Sequence, residues 1–136
     1  MNDRSEKISP SKENYLKVML GLSNEEGIRS TDIANALGVS KASVSSMMNI
    51  LSKEGYVTKE RYGVVNLILS GRNVAANIKR RYEVLVRFLH NILGVEAEVA
   101  AEDACHMEHI ISSQTADRID RRLNELSGYP HETKIL

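Results

Sequence analysis

The sequence predicts a mainly α fold, an N-terminal winged helix-turn-helix followed by an all-helical lobe. Three observations carry this reading. Two short helical stretches meet at Gly38, two strand-like runs at 56–60 and 65–69 follow directly, and helical periodicity then continues without another strand. The division is expected at 71/72, giving domains 1–71 and 72–136.

The first helix starts at Ser9-Pro10-Ser11, where a hydroxyl can cap and proline fits the first turn. Tyr15, Val18, Met19 and Leu22 then recur at helical spacing, to about Asn24, and Glu26-Gly27 ends the run. Ser30-Thr31-Asp32 is expected to cap a second helix carrying Ile33, Ala34 and Leu37, closed by Gly38. Ser40 or Lys41 opens a third, with Val44, Met47, Met48 and Leu51 as its apolar stripe and Gly55 as its stop.

A helix, a tight turn and a second helix are the pattern of a helix-turn-helix. Ser40, Lys41, Ala42, Ser43, Ser45 and Ser46 fall on the polar side of the third helix, with Asn49 further along. Short donors and acceptors with one cation suit phosphates and base edges in a major groove. Taken alone, such a helix pair is more commonly a bundle hairpin whose polar face meets water. The strands that follow favour the winged form, and Lys59 and Arg61 then fall on the wing, where cations lie along phosphates.

Ser70-Gly71 opens a long helix, expected from about Arg72 to Leu93, with Val74, Ala75, Ile78, Tyr82, Leu85, Val86 and Leu89 on one side. Gly94 breaks it. Further helices are expected over 97–112 and 115–126, with Ser127-Gly128-Tyr129-Pro130 as the last stop and a loose end beyond.

The 136 residues carry 18 Lys+Arg and 18 Asp+Glu, a formal net charge of zero. Residues 1–72 hold 10 cations against 8 anions and residues 73–136 hold 8 against 10, so the halves differ as +2 and −2. Nucleic-acid affinity would therefore rest on local patches and on dimerisation rather than on a global field. One cysteine excludes an intramolecular disulfide and fits a reducing cytoplasm. No run approaches 18 apolar residues and the first residues lack a signal-peptide core, so a soluble, cytoplasmic protein without a membrane partner is expected.

The densest chemistry lies in Glu102-Asp103-Ala104-Cys105-His106-Met107-Glu108-His109. Residues three and four apart share a helix face, so Cys105, Glu108 and His109 are expected to project together as thiolate, carboxylate and imidazole. Such a set suits a divalent transition metal better than magnesium or calcium. The alternative makes Cys105 a small buried hydrophobe and the other two a solvated face. An enzyme with Cys105 as nucleophile and His109 as base lacks an orienting group and phosphate-cradling glycines, so no enzyme is expected.

With these pieces in this order, the chain resembles the diphtheria-toxin-repressor / manganese-transport-regulator family of metal-dependent transcriptional repressors, in its short two-domain form. The resemblance runs from about Ser11 to Ser127. It rests on Glu13-Asn14-Tyr15-Leu16, Asp32-Ile33-Ala34, Val44-Ser45, Leu69-Ser70-Gly71, Ile92-Leu93-Gly94-Val95 and the segment from Asp103 to Ser112.

It implies a homodimer on a palindromic double-stranded operator, a helical dimerisation and metal-binding lobe, and a metal held by Cys105, Glu108 and His109 with Asn14 from the first helix. Cysteine in that set is the iron-type pattern, so iron is implied ahead of manganese, with cobalt, nickel or zinc as further candidates. Other family ligand positions hold Lys17, Tyr82, Val86 and Ala101. Two readings stand open: a repressor of metal homeostasis controlled by metal, and a regulator of the same family that has lost or changed its metal response. His90 and His106 are candidate replacement ligands.

Overall fold

The computed structural model of the chain describes residues 8–127, which form six α-helices and a three-stranded sheet. Helix α1 (Pro10–Leu22) starts as its sequence predicts, with Ser9 accepting from the Lys12 N–H and proline in the first turn. Helix α2 (Ser30–Leu37) does not. Ser30, Thr31 and Asp32 lie inside the helix, and Arg29 precedes it without a side-chain cap, because 28–29 are held extended in the sheet. Gly38 closes α2 in the left-handed region at φ 69°, its N–H donating to Ala34 O. Helix α3 (Lys41–Lys53) is capped by Ser40, whose side chain accepts from the Ser43 N–H.

Strands β1 (Ile28–Arg29), β2 (Val57–Lys59) and β3 (Val64–Leu67) form an antiparallel sheet in the order β1-β3-β2. Val57 pairs with Leu67 and Thr58 with Asn66, while Ile28 pairs with Val65. Both wing strands are shorter than the sequence suggests: Tyr56 and Glu60 fall outside β2, and after β3 Ile68 leaves the sheet and Leu69 opens the next helix. β1 is unexpected: two residues give no alternation to read, and it exists because Ile28 buries against the core.

That core joins Tyr15, Leu16 and Met19 of α1 to Ile33, Val44, Met48 and Leu51 of α2 and α3 and to Val57, Val65 and Leu67 of the sheet. Burying a side chain such as Leu16 contributes about 2 kcal/mol relative to exposing it.

Helix α4 (Leu69–Arg87) begins earlier than expected, passing Gly71 against the backbone of Tyr56, and continues as one π-helical turn over Phe88–Ile92. Helices α5 (Ala97–Met107) and α6 (Ser113–Ser127) complete the order, so α5 stops short of the expected Ser112. The described residues divide into two compact units that part between Asn77 and Ile78, inside α4, rather than at the 71/72 position expected from sequence. The first half of α4 contributes Ala75 to the first core.

In the second unit, Leu85, Val86 and Leu89 pack with Ala100 and Ala104 of α5, and Tyr82, Phe88 and Ile119 flank them. Arg80 and Arg87 bind α6 through Asp120 at 3.4 and 3.8 Å, and Arg80 also reaches Asp117 at 2.9 Å. No helix among the described residues is long and apolar enough to cross a membrane. The stop at Gly128-Tyr129-Pro130 and the end expected to be loose lie outside the described residues.

Candidate functional site

Two surfaces carry the chemistry, one in each unit. In the first, Ser40, Lys41, Ala42, Ser43, Ser45 and Ser46 are all exposed. Val44, Met48 and Leu51 point inward from α3, which leaves these small polar positions on the outer side. Ser40 also donates its hydroxyl to Ser43 Oγ at 3.0 Å, so part of the hydroxyl set is internally engaged. Lys59 stands exposed on β2, and its ammonium donates to Asn49 Oδ1 of α3. Arg61 is exposed at the end of the hairpin. Helix, strand and turn thus offer exposed polar positions with three cations, Lys41, Lys59 and Arg61. The slender α3 side can enter a groove while the wing meets the flanking phosphates.

The second surface is the exit of α5. The expected common face of Cys105, Glu108 and His109 is not present, and the buried stripe explains why. Ala100, Ala104 and Glu108 recur every fourth residue and all face inward, with Glu108 at 0% exposure. Cys105 sits one residue off that stripe and is exposed, so it is not the small buried hydrophobe of the alternative reading. The helix also ends at Met107, and the His109 N–H turns to His106 O rather than continuing the α pattern. His109 consequently folds inward, 6% exposed, with Nε2 at 3.1 Å from Glu108 Oε2. Arg81 of α4 reaches the same corner, donating to Ser113 Oγ at 3.1 Å and toward Glu108 O at 3.5 Å.

The remaining candidates lie elsewhere. His106 Nδ1 is bound to Glu102 O at 3.0 Å and His90 Nδ1 to Val95 O at 2.8 Å, each on an exposed side chain. Tyr82 and Val86 belong to the apolar core of the second unit, and Ala101 is partly buried on α5. Asn14 and Lys17 stand half-buried on α1, in the first unit. Among the described residues no group of three or more His, Cys, Asp and Glu is arranged to hold a metal. The donor set fits a divalent cation only in part: Glu108 and His109 form one buried O/N pair, and the thiol does not join it. Sequence reasoning missed Arg81, which has no motif around it. It also missed the Asn49–Lys59 link, a pairing of residues ten apart that only the hairpin's return creates.

Both halves of the chain match one family. Residues 7–65 match the iron dependent repressor N-terminal DNA binding domain, and residues 69–136 match the iron dependent repressor metal binding and dimerisation domain.

The chain belongs to the iron-dependent repressor family.

Its first part is therefore the family's DNA-binding domain and its second the metal-binding and dimerisation domain, in a regulator of the metal-dependent class. It is similar to the HTH-type transcriptional regulator MntR of Lysinibacillus sphaericus (strain C3-41), 34% identical over 129 residues that span 94% of this chain and 92% of the relative. Among solved structures it resembles the manganese regulator SloR, with TM-score 0.73, 32% identity and coverage of 86% of this chain. A manganese-dependent transcriptional repressor in complex with manganese also aligns, with TM-score 0.73 and 31% identity over 83% of this chain. The chain spans only 55% and 52% of the lengths of those two proteins.

Proposed function

We propose that the chain is a homodimeric transcriptional repressor of metal homeostasis whose binding to a palindromic operator is controlled by a divalent transition metal. The observation that carries the metal half is the buried Glu108–His109 pair in a matched metal-binding domain. Carboxylate oxygen and imidazole nitrogen are both ordinary ligands of a divalent transition metal, and here two of them are already held together out of water. Ser40, Lys41, Ala42, Ser43, Ser45 and Ser46 would enter the major groove, with Lys59 and Arg61 on phosphates. Two copies of α3 would lie about one helical turn of DNA apart, about 34 Å, as two-fold half-sites require.

Glu108 and His109 are the ligands we place first, with Cys105 and Asn14 as candidates for completing the set. Sulfur ligation would favour iron, cobalt, nickel or zinc, whereas an O/N pair without sulfur serves manganese equally well. The relatives above are named for manganese, and the exposed thiol agrees with a manganese-type shell more than with an iron-type one.

Operator affinity measured in chelator, manganese(II), anaerobic iron(II) and zinc(II) tests the proposal. A tenfold gain with metal corresponds to about 1.4 kcal/mol of coupling. We expect Glu108→Ala and His109→Ala to abolish that gain, with Cys105→Ala and Asn14→Ala in the same titration to define the rest of the set. Equal wild-type affinity in chelator and in every metal would overturn metal control and select a regulator with a lost or changed response. Tyr82 and Val86 in the apolar core are the observation favouring that second reading.

A further inference from the structure

The turn of the wing breaks its own local rule. Tyr62 (φ 61°, ψ 37°) and Gly63 (φ 72°) occupy the left-handed region in succession, and the Val64 N–H closes the turn on Arg61 O. Hairpin turns of this kind favour Asn, Asp or Gly at both positions, because a Cβ costs free energy there. Gly63 obeys. Tyr62 does not, and it is the only non-glycine with positive φ among the described residues.

Packing does not offset that cost. The ring is 94% exposed, the most exposed large apolar side chain among the described residues. Arg61 beside it is exposed too. Glu60, which precedes Arg61 in the chain, accepts from Asn66 Nδ2 at 3.0 Å, which engages its carboxylate within the hairpin. The tip thus projects an aromatic ring with a terminal hydroxyl next to a guanidinium, on the same unit as α3. A strained, fully exposed side chain with no partner in its own fold is best explained by a partner outside it.

We propose that Tyr62 is a DNA-contacting residue, its hydroxyl donating to a backbone phosphate beside the groove that α3 enters while its ring covers the adjoining sugar. This rests on the DNA-binding reading above. Tyrosine hydroxyls are among the ordinary phosphate donors, and such contacts set register and affinity without reading sequence. Arg61 would neutralise the neighbouring phosphate.

The test uses full-length protein with manganese(II) and two duplexes of about 30 base pairs, long enough for two half-sites. One is of mixed sequence, and the other is selected from a random pool by the wild-type protein. Tyr62→Gly is expected to melt no lower than wild type, since it relieves the left-handed position, yet to bind both duplexes about tenfold more weakly, the loss of one hydrogen bond to a charged group. Tyr62→Phe is expected to lose most of the same factor. Arg61→Ala should lower the salt dependence of binding by about one counterion, which the neutral Tyr62 variants leave unchanged.

Tyr62→Gly binding within twofold of wild type overturns the proposal while leaving the DNA-binding reading intact. Tyr62→Phe binding like wild type overturns the phosphate contact. A loss confined to the selected duplex overturns it as well, because that is base reading. Wild-type protein that binds neither duplex overturns the DNA-binding reading itself, and Tyr62 with it.

Discussion

Lys59 on the wing donates its ammonium proton to Asn49 Oδ1 on α3, so wing and helix are joined by a side-chain hydrogen bond. Both residues are exposed, and exposed pairs of this kind contribute little to folding. The bond's effect is positional: it holds a cation of the wing against the helix that would enter the groove.

Asn49→Ala should therefore leave stability within about 0.5 kcal/mol of wild type and weaken DNA binding a few-fold without altering its salt dependence. Lys59→Ala should weaken binding further and reduce the salt slope by about one. Thermal melts and anisotropy titrations at several salt concentrations separate these outcomes. Identical salt slopes for the two variants would show that Lys59 does not meet phosphate.

The order of elements was legible because each has its own local cause. Pro10 in a first turn, Gly38 after a short apolar helix and Ser40 ahead of α3 are punctuation that acts within a few residues. The failures have a cause too. β1 and the uncapped start of α2 depend on a strand arriving from residues 64–65, which no local signal announces. The corner at 105–109 departs from the spacing argument because that argument took the helix through His109. Where α5 stops at Met107, the partition into buried and exposed follows the Ala100–Ala104–Glu108 stripe instead. The stop has no glycine or proline to mark it.

Gly71 lies where α4 leaves the wing, and an added Cβ would stand 2.3 Å from Tyr56 O and 3.1 Å from Leu67 Cδ2. Backbone cannot yield as a flexible side chain does, so Gly71→Ala must move α4 or the start of β2. Overpacking of this kind costs about 1–3 kcal/mol, which should lower the melting temperature by several degrees. Gly38→Ala is the control: its Cβ meets nothing within 4 Å, so any loss there comes from φ 69° alone. A Gly71→Ala protein that melts with the wild type would show that the helix start slides freely.

Tyr15 is buried in the first core, and desolvation raises its phenol pKa above the ordinary 10.0. The neutral phenol is thus favoured in the folded state. Its contribution to stability is complete below pH 10, where the unfolded chain also keeps its proton, and is lost as the pH rises through the higher folded value. Urea midpoints at pH 9 and pH 11 should fall more for wild type than for Tyr15→Phe, because other titrating groups are common to both. Parallel losses in the two proteins would mean that Tyr15 reaches solvent before it ionises.

The Glu108–His109 pair sets up the sharpest separation between a structural and a functional role. Glu108 is fully buried with Oε2 at 3.1 Å from His109 Nε2, so Glu108→Ala takes that partner from the imidazole and removes buried volume. Breaking a buried pair from one side costs about 3 kcal/mol or more, readable as a lower urea midpoint in chelator. Metal adds a second, independent readout. A ligand at a hundredfold excess over its Kd stabilises the native state by about 2.7 kcal/mol, so manganese(II) should raise the wild-type midpoint and leave Glu108→Ala where it was. Glu108→Gln keeps the shape and much of the hydrogen bonding. It should regain most of the stability lost by the alanine variant while showing no rise with metal. Cys105→Ser alters an exposed side chain, so its stability should stay within about 0.5 kcal/mol of wild type, and it should retain most of the rise with manganese(II). A Glu108→Gln protein that still gains the full wild-type increment would place the cation elsewhere and leave Glu108–His109 as a purely structural pair.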